Sequence, residues 1–426
     1  MKKAQDRKPL LLLGARQVGK TYILKEFGKN EFSNMVYINC HTDSFAANLF
    51  EDFDIQRIIY QIGIHTRQKV IPGQTLLFFD EMQEVAQGIP SLKYFCENLR
   101  ELHVVVAGSL LGISIRPTES FPVGKVNILN MFPMSFSEFL IASGEKQLWE
   151  SMLRLDYATI HLFESRCKEL LRQYYFTGGM PEAVAKWQDT HDPVAVRAIQ
   201  NEILTTYDKD FSKHTRTMLQ RIRMVWNSIP VQLAKENKKF IFGILKKGAR
   251  AAQYEEALQW LIDAGLIIRV FRCTKPVKPL KFYQDTSAFK IFLIDVGLLA
   301  AMAETDPRDI LLGDNAFKEY KRAFTENYIV QQLKTISNIS TFYSSKDNST
   351  QEVDILVQTP TRIIPLEAKA EENVKSKSLS AYINHDHTDL KLRGLRCSMK
   401  PYIDQGWMEN IPLWAVEAYF MHEAQS

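Results

Sequence analysis

Two sets of residues in this chain have the types and spacing to do phosphate chemistry. The first opens with Gly14-Ala15-Arg16-Gln17-Val18-Gly19-Lys20-Thr21. Glycines at both ends of such a loop let backbone N–H groups close on an anion at a helix N-terminus, where partial positive charge favours phosphate. In this pattern Lys20 reaches the β- and γ-phosphates and Thr21 ligates Mg²⁺, so ATP and Mg²⁺ are the expected ligands. The loop needs an acid at the end of a buried strand, and Thr75-Leu76-Leu77-Phe78-Phe79-Asp80-Glu81 supplies one. Asp80 would serve the metal, and Glu81 would orient or deprotonate the attacking water. A third apolar run, Val104 to Ala107, ends in Gly108-Ser109. Ser109 is the candidate for sensing the γ-phosphate, with a plain turn as the alternative.

The second set lies near the C-terminus. Lys318 to Leu333 reads as an amphipathic helix in which Glu326 falls in register with Ala323, Ile329, Val330 and Leu333. A carboxylate on an apolar face is costly unless it is paired or binds a metal. Downstream, Glu352-Val353-Asp354-Ile355-Leu356-Val357 begins a strand carrying Asp354, and Ile363 to Lys369 carries Glu367 and Lys369 two apart, on one face of a strand. Glu-x-Lys alone is also common as a surface ion pair. His385 and His387 flank Asp386 and receive no role.

These residues need a scaffold. Strand, glycine loop and helix (Tyr22 to Phe27) occur in the order a phosphate site requires, and three buried parallel strands with helical connections make an α/β nucleotide-binding domain. At 426 residues the chain has room for two to four domains. Apolar residues at 46% and charged residues at 24% exclude a disordered chain. Five widely spaced cysteines without a Cys-x-x-Cys pair argue against a disulfide framework or zinc site and fit a reducing cytosol. The basic start before Leu10 to Leu13 is too short in its apolar core, cut by Arg16, for a secretory signal. The longest apolar stretches, His103 to Ile115 and Ile291 to Ala303, fall below the ~18 residues that span a bilayer. The expectation is a cytoplasmic protein with no membrane partner.

Net charge is only +4, yet Ser212 to Lys290 holds sixteen Lys or Arg against five Asp or Glu, a local +11 that leaves the remainder at −7. Beyond Glu138 the pattern is helical, with Leu148 to Leu155 and His161 to Tyr175 showing three- and four-residue spacing. Tyr254 to Ile262 is a helical stripe stopped at Ala264-Gly265, and Leu266 to Val270 follows as a strand. Helix, glycine and strand form the end of a winged helix-turn-helix, which makes DNA the expected partner. The alternative is a segment packed between domains with solvated lysines.

The nucleotide residues together resemble an AAA+ ATPase. Pro133-Met134-Ser135-Phe136-Ser137-Glu138-Phe139 and Phe176-Thr177-Gly178-Gly179-Met180-Pro181-Glu182-Ala183 are similar to one prokaryotic AAA+ family. Its members join an ATPase domain to a winged-helix segment and a C-terminal domain of uncharacterised function that resembles a restriction endonuclease. The chain departs from that pattern where its first strand begins within ten residues of Met1 without a helical lead-in, and where Gly124-Lys125 stands for a common Gly-Arg, removing an arginine finger there. Arg116 or an arginine from another subunit is the substitute to consider.

The resemblance implies a P-loop NTPase parallel sheet over residues 1–140, a helical appendage over 141–211, a basic winged helix over 212–285 and an α/β nuclease-like domain of the PD-(D/E)xK class over 286–426. In that class Asp354 and Glu367 ligate Mg²⁺, Glu326 completes the metal site, and Lys369 positions water or stabilises phosphate charge. Three readings remain open on sequence. One is an ATP hydrolase acting on DNA, with Mg²⁺-dependent cleavage by the C-terminal domain. Another is a nucleotide-dependent switch or scaffold for a protein partner, its nuclease-like module non-catalytic. A metabolic kinase is the third, and no small-molecule pocket motif supports it. AAA+ resemblance implies rings, while Lys125 leaves a monomer or dimer open.

Overall fold

A run of four leucines has no polar face, so an extended segment built from it is stable only where both faces are covered. Leu10–Gly14 (β1) meets that requirement as an inner strand of a five-stranded sheet. With β2 (Asn34–Asn39), β3 (Thr75–Asp80), β4 (His103–Ser109) and β5 (Asn127–Met131), the order is β2-β3-β4-β1-β5 and every neighbouring pair is parallel. Alternation along the strands assigns the two faces. Leu11, Leu13, Ile38, Leu77, Phe79 and Val106 share a core with Ile55, Ile58 and Ile62, whereas Leu12, Leu76, Phe78 and Val105 share one with Leu24. Leu24 lies on α1 (Lys20–Glu31) and the isoleucines on α2 (Ile55–Thr66); Leu92 and Phe95 of α3 (Gly88–Asn98) join the second helix's core. Parallel register brings the strand ends together, with Gly14 opposite Ser109, Ala107 opposite Asp80, and Asp80 opposite Asn39.

This computed structural model describes residues 6–109, 121–235, 239–313, 315–346, 351–370 and 376–425; for 109 and 315–320 the backbone alone is described. Two compact units divide the chain: Met1–Phe132 with Asp263–Gly265, and Pro133–Ile262 with Leu266–Ser426. Arg116 lies outside the described residues. All five cysteines are buried and free. Among the described residues, no helix is long and apolar enough to cross a membrane.

The second unit starts with α4 (Phe136–Ala142), whose first turn carries a capping box between Ser135 and Glu138. Helices α5 (Lys146–Leu153), α6 (Tyr157–Leu162), α7 (Glu164–Thr177), α8 (Pro181–Thr190) and α9 (Pro193–Phe211) follow as the helical appendage. The two motifs that carry the family resemblance meet here as a packing joint. Met134 N donates to Gly179 O at 2.7 Å, and Gly179 N donates to Asp295 Oδ2 at 2.6 Å. A Cβ on Gly179 would lie 1.9 Å from Met134 O, and one on Gly178 would lie 2.1 Å from Asp295 Oδ1, so both positions require glycine. Ser137 donates from N and Oγ to Glu417 at 2.8 and 2.7 Å, and Phe136 N donates to Gln332 Oε1 at 2.7 Å. Asp295 is fully buried, and burial pushes its carboxyl up to about 6.

The basic stretch forms α10 (Arg216–Ala234), the short α11 (Phe242–Leu245), α12 (Ala251–Asp263) and an antiparallel hairpin of β6 (Ile267–Cys273) and β7 (Gln284–Leu293). Gly265, the expected helix stop, sits at φ 70°. The hairpin is the end of an eight-stranded mixed sheet of order β12-β13-β11-β10-β9-β8-β6-β7. Its other strands are β8 (Ser340–Ser345), β9 (Glu352–Gln358), β10 (Ile363–Ala368), β11 (Gly394–Ser398), β12 (Ile403–Asp404) and β13 (Met408–Pro412). The expected boundary between residues 285 and 286 falls inside β7, so hairpin and C-terminal strands share one sheet. Packed around it are α13 (Val296–Met302), α14 (Pro307–Leu312), α15 (Asn315–Thr335), α16 (Lys377–Ala381) and α17 (Val416–Glu423).

Candidate functional site

The loop after β1 is built by exclusion as much as by hydrogen bonding. A Cβ on Gly14 would stand 2.3 Å from Met131 O, so only glycine lets β1 end this close to β5. Gly19 turns the chain into α1 at φ 93°, a conformation glycine adopts at little cost, and Gln17 shares the left-handed region at φ 64°. Val18 is fully buried beneath the loop, Ala15 nearly so, and Arg16 is half-buried. Lys20, the first residue of α1, is 7% exposed and folds back to donate from Nζ to Ala15 O at 2.7 Å and Gly14 O at 3.1 Å. Burial pulls its ammonium down to about 8, against the opposing charges of Glu81 and Asp80. An incoming phosphate would exchange those carbonyl contacts for an ion pair and restore the charge.

Asp80 ends β3 and is buried. Thr21 Oγ1 donates to its Oδ2 at 3.0 Å and Oδ1 at 3.2 Å, so hydroxyl and carboxylate stand together at the first turn of α1. Both are hard oxygen donors of the kind Mg²⁺ takes, and the pair fits an ion shared with phosphate oxygens. Glu81 follows in a left-handed conformation at φ 53°, its N donating to Ala107 O at 2.9 Å. Backbone register sets Ser109 beside Gly14; its side chain lies outside the described residues. Lys125, at the position of the missing finger arginine, pairs with Glu97 at 2.8 Å.

Two residues not singled out from sequence belong to this site. Tyr37 Oη donates to Asp80 Oδ2 at 3.0 Å and accepts from Asn39 Nδ2 at 3.3 Å. Burial pushes the Tyr37 phenol up to about 12, so it remains a donor to the carboxylate. Gln83 Nε2 donates to Glu81 Oε2, while the Gln83 side chain, 4% exposed, lies against Gly108. A polar residue two places after an acid pair was the available sign of Gln83. For Tyr37 the sign was its two-residue spacing from Asn39, which faces the end of β3.

The C-terminal set gathers on β7, α15, β9 and β10. Glu326 is fully buried, and Asp354 and Glu367 nearly so. Arg322 bonds both Glu326 and Asp354, and Lys290, fully buried on β7, stands among Glu326, Glu352 and Asp354. Burial works against the Lys290 charge, but these three carboxylates outweigh it and hold the pKa above its ordinary value. Burial raises the Glu352 carboxyl, against the pull of Lys290. Lys369 Nζ lies 2.8 Å from Glu367 Oε1, the same-face pairing expected of Glu-x-Lys. Among the described residues, no group of three or more His, Cys, Asp or Glu is arranged to hold a metal ion. The set does not fit a divalent ion while Arg322 bridges Glu326 and Asp354.

Three families match separate stretches of the chain. Residues 6–140 match one described as "AAA domain". That match supports an AAA+ P-loop ATPase, and with the five-stranded parallel sheet and glycine loop it accounts for the N-terminal fold. Residues 168–309 match a domain of unknown function (DUF8612), and residues 321–415 match another (DUF4143). No curated protein matches the sequence. Among solved structures the chain is similar to one in "Structure of Drosophila ORC bound to DNA", at 12% identity over 70% of this chain and 91% of that chain, with a TM-score of 0.26. A likeness that slight carries no argument.

Proposed function

We propose that the chain binds ATP with Mg²⁺ and hydrolyses it to ADP and phosphate, and that it couples this cycle to DNA. The carrying observation is the convergence of Thr21 and Asp80 at 3.0 Å beneath a loop whose Lys20 is buried against its own carbonyls. Thr21 and Asp80 would hold the ion, which neutralises charge on the phosphates. Backbone N–H groups from Gly14 to Gly19 cradle the phosphates and Lys20 balances their charge. Glu81 orients or deprotonates the attacking water, and Ser109 senses the γ-phosphate from the tip of β4.

DNA contact is assigned to two exposed loops of the basic segment. Lys246, Lys247 and Arg250 stand exposed in the turn before α12, as do Lys275, Lys278 and Lys281 in the β6–β7 loop beside Phe282, which is 84% exposed. The exposed face of α12 carries Glu255 and Glu256, a poor surface for phosphates, so the turn and the hairpin loop are the better candidates. ATPase rate with and without duplex DNA at two salt concentrations tests this. Stimulation that fades with salt supports it, with a log–log slope reduced by ~0.9 for each phosphate-contacting cation removed. A rate indifferent to DNA refutes the coupling.

A specific observation favours a second reading of the C-terminal domain. Glu326 and Asp354 are paired with Arg322, and Glu326 also faces Lys290, which supports a non-catalytic module that contacts DNA or a protein partner, rather than a Mg²⁺-dependent nuclease. Plasmid incubated with the protein and Mg²⁺ or Mn²⁺ stays intact on this reading; cleavage lost in Asp354→Ala, Glu367→Ala would overturn it.

A further inference from the structure

Arg322 lies one turn before Glu326 on α15 and reaches two carboxylates with one guanidinium. Nε donates to Glu326 Oε1 at 3.0 Å and Nη2 donates to Asp354 Oδ1 at 2.9 Å. A helix acid and a strand acid are thus bridged by a cation of the chain itself, where a shared metal would bridge them. Asp354 Oδ2 accepts from Ala368 N at 2.9 Å. Lys290 Nζ lies 3.7 Å from Glu326 Oε2, pairs with Glu352 and donates to the Asp354 carbonyl at 3.2 Å. Buried carboxylates persist only when a cation or hydrogen-bond donors compensate them, and Arg322 and Lys290 supply the cations here. Glu367 Oε1 takes Lys369, and its Oε2 is buried without a hydrogen-bond partner.

We propose that Arg322 stands in for the divalent ion, so that this acidic site is closed to metal in the native chain and opens when the guanidinium is removed. An ion entering the native site would have to displace the bidentate contact and sit beside two fixed positive charges. Without the guanidinium, Glu326 Oε1 and Asp354 Oδ1 lose their shared partner and stand as hard oxygen donors of the kind Mg²⁺ or Mn²⁺ takes. The Arg322 side chain is 45% exposed, so its truncation leaves the apolar core intact. The inference concerns the C-terminal sheet alone and stands whether or not ATP is hydrolysed.

The test is calorimetric titration of the nucleotide-free full chain with Mn²⁺. Wild type and its Asp354→Asn variant should give indistinguishable isotherms, since the site takes no metal. Arg322→Ala should gain a binding event that disappears in Arg322→Ala, Asp354→Asn, with affinity up on the order of 100-fold or more, the scale set by withdrawing one unit charge about 4 Å away in a partly screened site. Arg322→Lys, which keeps a cation, should gain little. Mn²⁺ binding by wild type that Asp354→Asn abolishes overturns the proposal, and that arm does not depend on any Arg322 variant folding. A folded Arg322→Ala chain that binds no Mn²⁺ overturns it equally.

Discussion

Replacing Gln83 with leucine removes one hydrogen bond and little else. The side chain is 4% exposed, its Oε1 has no hydrogen-bond partner, and its Nε2 donates to Glu81 Oε2. Leucine fills a similar volume without stranding a polar partner apart from Glu81, which is half-buried and reaches water. The fold is therefore expected to persist. A hydrogen bond to a charged group contributes ~1.5–3 kcal/mol, which corresponds to ~10- to 150-fold in rate if the bond is needed to aim the carboxylate at water. Steady-state ATPase measurements should show kcat falling within that range with KM nearly unchanged, because Gln83 has no part in the phosphate cradle. Gly108→Ala should have the same effect by another route, since its Cβ would stand 2.7 Å from Gln83 Oε1 and push the amide away. Wild-type kcat in both variants would refute the claim that Gln83 positions Glu81.

Other outcomes follow from the same geometry. Because burial holds Lys20 near 8 and phosphate needs it charged, ATP affinity should fall as pH rises through about 8, measured by calorimetry between pH 7 and 9. Asp295, raised to about 6 in the fold, binds its proton more tightly in the native state than in the unfolded chain, so its contribution to stability grows as pH falls through 6 and is lost above it. Wild type should therefore gain ~1 kcal/mol over Asp295→Asn between pH 7 and pH 5 in denaturant melts; a constant difference would contradict this. Gly179→Ala, with its Cβ 1.9 Å from Met134 O, should cost about 3 kcal/mol in the same assay while leaving ATP affinity unchanged.

Motifs whose chemistry is local were legible in the sequence. Gly14 to Thr21, Asp80 and Glu81 fall where strand periodicity and loop spacing put them, because four leucines and Leu76–Phe79 have no alternative to a buried parallel strand. Glu326 was legible as a buried acid because its helical register matched its apolar neighbours. What escaped depends on contacts between distant segments. Arg322 sits four residues from Glu326 but meets Asp354 only once β9 packs beside α15, and Lys290 reaches both from β7. The +11 segment overstated its free charge. Lys213 pairs with Asp210, Arg223 with Asp208 and Arg269 with Glu255, which lowers the charge left for a polyanion, and groups of exposed cations remain in the turn before α12 and in the hairpin loop. Residues 133–139 and 176–183 carried the resemblance, and the structure uses them to lock helices around Asp295 and Glu417.

Binding of ATP with Mg²⁺ to the full chain, compared with Lys20→Ala by calorimetry at pH 7, tests the central claim most directly. Lys20 supplies a side-chain charge at the start of α1, held against the loop carbonyls of Gly14 and Ala15, and its loss leaves the loop's backbone donors facing anionic oxygens without it. The account predicts saturable binding by wild type and a loss of at least ~10-fold in affinity for the variant, as expected for a charge-assisted contact of ~1.4 kcal/mol or more. Equal affinity in the two proteins would contradict it.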